Sequence, residues 1–259
     1  MSYTGETIDP GQLLDKIREE SAKRGFQTIR IARVGGYPIY ILKRAGGSKN
    51  SKRVYLSAGV HGDEPAPPLT ILKMLEENAL QPDVDWTIVP MLNPTGFKNN
   101  TRENADGIDL NRDFRNSKAK ETRALIEFLD REDPFGLSML LHEDWESQGF
   151  YLYQIPLENA NEVAKYMIRR VAEVIPIDLQ EDIDGMPATG GIIQPNPNDL
   201  TVDPKLEGNW PEAFYIYYRK MAKLQFTVES PSAFPMKDRV KALHTALEAS
   251  FVEVRNLHR

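Results

Sequence analysis

The uncharged apolar run Val54-Tyr55-Leu56-Ser57-Ala58-Gly59-Val60 has the length and β-branched character of a strand buried on both faces, here from Arg53 to Gly59. It is followed at once by the polar turn His61-Gly62-Asp63-Glu64. Pro65-Ala66-Pro67-Pro68 then opens a segment of helical apolar period, which predicts a helix from Ala66 to Asn78.

The same alternation of periods runs through most of the chain. Asp9-Pro10 ahead of Leu13, Leu14 and Ile17 predicts an N-capped helix ending near Gly25, and Phe26 to Val34 with Tyr37 to Lys43 predicts a hairpin about Gly35-Gly36. Strands follow at Asp85 to Leu92, at Leu137 to Leu141 (delivering His142) and at Gly149 to Ile155, with helices at Lys118 to Asp130 and Glu158 to Val174. An aromatic-rich helix from Pro211 to Lys223 precedes a strand from Leu224 to Val228. The closing helix, Met236 to Val254, carries Val240, Leu243, Leu247, Phe251 and Val254 on one face. Two stretches have neither period. One is polar and runs from Asn93 to about Asn116; the other, Asp182 to Asn209, is rich in Gly, Pro, Asn and Asp and reads as a loop, a candidate lid. Alternating strands and helices make the class α/β.

Composition narrows the function. A chain of 259 residues with 41% hydrophobic and 27% charged residues can build one large core, so residues 1–259 are expected to form a single domain. A formal charge of −6 argues against a nucleic-acid partner, because no basic stripe is available to displace phosphate counterions. The N-terminus has no basic segment leading into an apolar core, and no apolar run reaches the ~18 residues of a membrane span. The expectation is a cytoplasmic protein, with no membrane partner, acting on a soluble small molecule or peptide. With no Cys and only four His, any zinc site must be drawn from His61, His142, His244 and His258 with Asp or Glu. His244 lies on the last helix and His258 beside the C-terminus, which leaves His61 and His142, each at a strand end. Together with Glu64 they have the composition of an open catalytic zinc site with room for water. Asn111-Arg112 adds a guanidinium fork and an amide, suited to holding a substrate carboxylate. Glu229 is an acid placed where the apolar strand Leu224 to Val228 meets Ser230-Pro231-Ser232.

In these segments the sequence resembles the carboxypeptidase A-type zinc metallopeptidases. The likeness rests on Val60-His61-Gly62-Asp63-Glu64, Asn93-Pro94-x-Gly96, Gly107-x-Asp109-Leu110-Asn111-Arg112-x-Phe114, a later His142, and Glu229. It spans residues 54 to 235 and looks nearest to small bacterial members such as the murein peptide amidases. The resemblance implies a single domain with a mostly parallel or mixed twisted sheet and helices on both faces. It implies one Zn2+ held by His61, Glu64 and His142, Asn111 and Arg112 as the clamp for the substrate carboxylate, and Asp109 as the residue that orients His61. Glu229 would be the general base, taking a proton from a metal-activated water and returning it to the leaving amine, and Arg102 would help stabilise the oxyanion. Asp63 is expected to be a loop residue and no ligand. The implied reaction is zinc-dependent release of a C-terminal amino acid or diaminoacid from a peptide, with cell-wall peptides as the first candidates.

The sequence departs from the family pattern in two places. The larger peptidases carry an Arg three positions before the one matched to Arg102, where this chain has Asn99; Lys98 or Arg102 is the candidate replacement, with Arg102 preferred. No Tyr occurs between Asp182 and Asn209, where the family has a mobile one. Tyr215, Tyr217 and Tyr218 read as core aromatics of a helix, and Trp210 is a candidate pocket residue. A second reading is an N-acylamino-acid deacylase of the aspartoacylase and succinylglutamate desuccinylase type, with the same ligands and clamp. Those enzymes add a β-rich domain after the catalytic Glu, whereas one helix follows Glu229 here. A third is an inactive zinc- or peptide-binding module.

Overall fold

The computed structural model describes residues 6–48, 51–155, 160–195 and 208–256, except the side chains of 160 and 252–256. Its frame is a mixed sheet whose order among the described residues is β1-β2-β4-β3-β5-β10-β6-β9-β8-β7. In chain order the elements are α1 (Pro10–Lys23), β1 (Gln27–Val34), β2 (Tyr37–Arg44), β3 (Lys52–Ser57), α2 (Ala66–Glu76), β4 (Val84–Val89), α3 (Pro94–Asn99) and α4 (Lys120–Leu129). They continue with β5 (Phe135–Asp144), β6 (Tyr151–Gln154), α5 (Ala160–Val171), β7 (Asp182–Ile183), β8 (Met186–Thr189), β9 (Ile192–Ile193), α6 (Glu212–Tyr218), β10 (Ala222–Pro231) and α7 (Met236–Asn256). The sequence class is therefore found as read: a single α/β domain with a mixed sheet flanked by helices.

Strands β4, β3, β5 and β10 run parallel at the centre, flanked by β2 and β6, which pair antiparallel with β4 and β10. Because strand side chains alternate, two cores form. Val54, Leu56, Met139, Leu141, Phe226 and Val228 face α1, α2, α5 and α7, while Tyr55, Leu140, Ile39, Ile41 and Val89 face α4 and α6. A strand covered on both sides has no polar face, which is why β3 and β5 read as unbroken apolar runs.

Several boundaries differ from expectation. The polar stretch after Asn93 contains α3, capped by the Asn93 side chain accepting from Gly96 N at 2.9 Å, and a 3-10 turn at Leu110–Arg112; both are too short to show a period. β5 and β10 are longer than predicted, so His142 and Glu229 lie within strands rather than beyond them. Helix α6 is shorter than predicted. The predicted loop from Asp182 is built into β7, β8 and β9 as far as Ile193, strands of two to four residues that leave no alternation to read; its remaining part, like His258, lies largely outside the described residues.

A buried ion pair fastens the sheet to two helices. Arg239 near the start of α7 is fully buried, its Nη1 lies 2.6 Å from Glu143 Oε1, and it also pairs with Glu6. Glu143 Oε2 in turn accepts from Ala66 N, at the first turn of α2, at 2.6 Å. Replacing Arg239 with Met leaves the buried Glu143 carboxylate without its counter-charge, and the expected cost is about 3–5 kcal/mol in urea unfolding. A loss below ~1 kcal/mol would show that the pair is not what ties these elements together.

Candidate metal centre and catalytic cavity

The site grows from the carboxyl ends of the parallel strands, where an open α/β sheet presents side chains to a crevice. After β3 the chain turns through Gly59, at φ 65°, and brings His61 and Glu64 over the sheet end. The turn lies flat against α3: a Cβ on Gly62 would strike the backbone of Gly96 and Phe97, so the Gly62 and Gly96 positions of the two motifs are a backbone-on-backbone contact. His142, in β5, supplies the third group. Its Nδ1 lies 3.0 Å from Glu64 Oε2, the Nδ1 of His61 contacts Glu64 Oε1, and the ligand atoms of all three residues lie within 4.8 Å of one another. All three side chains are buried.

The donor set fits a zinc ion. Two imidazole nitrogens and a carboxylate converge on one point, and the other nitrogen of His61, Nε2, points away to Asp109 Oδ1 at 3.3 Å with no other partner. Asp109 is itself fixed, accepting from Asn111 N at 2.9 Å and from Arg102 Nε at 2.9 Å. Arg102 Nη1 reaches to 3.3 Å from His61 Nδ1. Glu143 N donates to Glu64 Oε2 at 3.2 Å, so the buried pair behind the site touches the ligand carboxylate directly.

Electrostatics separate the two acids of the site. Burial alone would raise the Glu64 carboxyl, but His61 and His142 outweigh it and hold it well below the usual carboxylate range. Asp109 is likewise held low, burial being outweighed by His61 and Arg102. Glu229 goes the other way: burial, with the charges of Glu64 and Asp144, pushes its carboxyl well above the usual range although His142 and Arg102 oppose this.

A cavity of about 720 Å3 opens over these groups, and Arg102, Asn111, Arg112 and Glu229 line it with His61, Glu64 and His142. Glu229 is in parallel register with His142, so the two side chains stand next to each other on one face. Asn111 Oδ1 accepts from Glu212 N at 2.9 Å, and Glu212 accepts from Tyr55 OH at 2.5 Å and Ser57 Oγ at 3.0 Å, which ties the Asn111-Arg112 turn to α6 and β3. Other candidates fall outside the cavity. Lys98 and Asn99 are exposed at the end of α3 and do not line it. Trp210 stacks on Tyr218 with ring centroids 4.7 Å apart and is no lining residue, and Tyr215 donates to Asp130 at 2.6 Å. His244 Nε2 lies 3.4 Å from Glu248 on α7.

Sequence reasoning missed Tyr151 and Tyr153, which line the cavity from β6, with Tyr151 in register with Glu229. Their alternation within Gly149 to Ile155 was visible; what was not visible was that β6 lies against β10. Glu143, Arg239 and Glu212 were missed too, since each is defined by partners remote in sequence.

The profile of the succinylglutamate desuccinylase/aspartoacylase catalytic domain matches residues 50–147, a stretch that holds the three metal-site residues and Asn111-Arg112 and ends before Glu229. A crystal structure of a candidate metallopeptidase from Shewanella denitrificans superposes with a TM-score of 0.77 at 23% identity, covering 93% of this chain and 88% of that one. A metallo-carboxypeptidase from Burkholderia cenocepacia gives 0.72 at 16% identity, over 95% and 68%. Bovine thrombin-activatable fibrinolysis inhibitor, in complex with a tick carboxypeptidase inhibitor, gives 0.70 at 16%, over 98% and 100%. This is the zinc-carboxypeptidase fold. Carboxypeptidase SOL1 of Arabidopsis thaliana is 26% identical over 181 residues, 59% of this chain, which spans 36% of the length of that protein.

The contrast that tests the centre lies within one turn of this zinc-carboxypeptidase fold. His61→Ala is expected to abolish stoichiometric zinc binding by metal analysis, whereas Asp63→Ala, two residues on, keeps it; the reverse order would remove His61 from the site.

Proposed function

We propose that the protein is a zinc-dependent hydrolase that releases a C-terminal amino acid or diaminoacid from a peptide, with cell-wall peptides as candidate substrates. The observation that carries this reading is the company Glu229 keeps. An acid with a raised pKa lies in register with a metal-site imidazole, in a cavity that also holds a guanidinium-amide pair suited to a carboxylate.

A zinc ion at His61, Glu64 and His142 would supply an activated water and a Lewis acid for the scissile carbonyl. The chain's own groups do the rest. Arg112 and the amide of Asn111 hold the substrate carboxylate, and the bond from Glu212 N to Asn111 Oδ1 leaves the amide nitrogen of Asn111 to donate. Glu229 accepts the proton of the attacking water and passes it to the leaving amine. The charge of a bound ion would draw the Glu229 carboxyl back from its raised position towards the range in which it exchanges protons. Arg102, fixed through Nε by Asp109, presents its guanidinium beside the centre to the developing oxyanion. Asp109 keeps the His61 ring in the orientation that turns Nδ1 to the centre.

A second reading, an N-acylamino-acid deacylase, is favoured by the profile match over residues 50–147. Measuring amino-acid release from a peptide library against release from acylated aspartate and glutamate separates the two, since each reading predicts turnover in one arm only. In the active arm, Glu229→Gln should retain stoichiometric zinc and lose about 10²–10⁴-fold in kcat. Turnover within a factor of a few of the parent would remove Glu229 from the reaction.

A further inference from the structure

Among the described residues two large apolar side chains stand open to solvent, Trp145 at 59% and Leu179 at 73% exposure. Trp145 belongs to the rim of the cavity, and Leu179 lies on a neighbouring loop without lining it. Trp145 lines it just beyond His142, and Leu179 sits between Asp178 and Gln180, which line it as well. The two loops are joined, because Asp178 Oδ2 accepts from Ser147 Oγ at 3.0 Å and from Gln148 N at 3.3 Å. A large apolar side chain left exposed at the mouth of a cavity is a mark of a binding surface.

The charged groups of the rim are anionic. Asp144 is held by Tyr151 OH at 2.9 Å and by Glu146 N at 2.8 Å, and Glu146 itself is exposed beside Trp145. Asp178 is buried, which would raise its carboxyl, but the bonds from Gln180, Ser147 and Gln148 outweigh this and hold it low, so its charge is taken up in joining the two loops. Among the described residues no Lys or Arg of the cavity lining belongs to these two loops; the arginines that line it, Arg102 and Arg112, come from the segment after α3.

Strand β10 gives the rim its place along the substrate. At one end Gln225 Nε2 donates to Ala213 O at 2.6 Å, beside Glu212, whose N–H holds Asn111 of the carboxylate clamp. At the other end Pro231 is in register with Asp144, and Ser232 N donates to Asp144 O at 2.9 Å. At strand rise these ends lie about 20 Å apart, with Glu229 between them. A peptide whose terminal carboxylate lies at Arg112 therefore extends its amino side past Glu229 to the rim.

We infer that the rim formed by Asp144, Trp145 and Glu146 is a substrate subsite for a cationic side chain on a long aliphatic stem, such as that of lysine, carried on the amino side of the scissile bond. The stem covers the indole, the ammonium group meets the ring face, and Asp144 and Glu146 neutralise it. This rests on the hydrolase reading and specifies its substrate.

The test uses the zinc-loaded full chain and three peptides with one common released residue, chosen from the peptide library, preceded by Lys, norleucine or Glu. The expected order in kcat/KM is Lys over norleucine by about tenfold, with Glu lower still. Trp145→Ala and Glu146→Gln, both exposed positions, should leave the melting temperature unchanged and bring Lys down towards norleucine through KM. Equal rates for the three peptides, or a Lys preference that survives both substitutions, overturns the subsite while leaving the hydrolase reading in place. Failure of every library member to be cleaved overturns the hydrolase reading, and the subsite with it.

Discussion

Everything in the site depends on forcing two imidazoles and a carboxylate together out of water at the ends of two parallel strands. His61, Glu64 and His142 are all buried, and a bare carboxylate at that depth is costly unless positive charge compensates it. The fold meets this in two ways. The His rings hold the Glu64 carboxyl in its charged form, and Glu143 N gives one of its oxygens a backbone donor. A divalent cation completes what these groups begin, which is why the arrangement reads as a metal centre rather than as a hydrogen-bonded core cluster.

The rest of the structure holds that cluster still. The close backbone contact of Gly62 with Gly96 sets the His61–Glu64 turn against α3. Asp109 orients His61 from the following turn, and the Arg239–Glu143 pair anchors the back of the site to α7 and, through Ala66 N, to the start of α2. On the open side, the parallel register of β5 with β10 sets Glu229 beside His142 and the antiparallel register of β6 brings Tyr151 next to it. The register of the central sheet is thus a constraint on function as well as on the core, because a slip of one residue would turn Glu229 to the opposite face.

What could be read from the chain was whatever is local or scarce. His61 and His142 stood out because the chain has four His and no Cys, and Asn111-Arg112 because the pair is contiguous. The central strands were legible because burial on both faces leaves an unbroken apolar run. Groups defined by distant partners were not legible: Arg239 looks like one more helix cation until Glu143, 96 positions away, is seen against it. Glu212 has the same character, its meaning coming from Tyr55, Ser57 and Asn111. Trp210 was misjudged because an aromatic at the end of a loop gives no sign whether it faces the cavity or, as here, stacks on a neighbouring helix. The short strands β7 to β9 have too few residues for any period to show.

The central claim is that one zinc ion binds at His61, Glu64 and His142. The most direct measurement is anomalous scattering at the zinc edge from crystals of the zinc-loaded protein. The account predicts a single strong peak at about 2.0–2.2 Å from the Nδ1 atoms of His61 and His142 and from a carboxylate oxygen of Glu64. A peak centred on other residues, or bonded to Nε2 of His61 with Asp109 displaced, would contradict it.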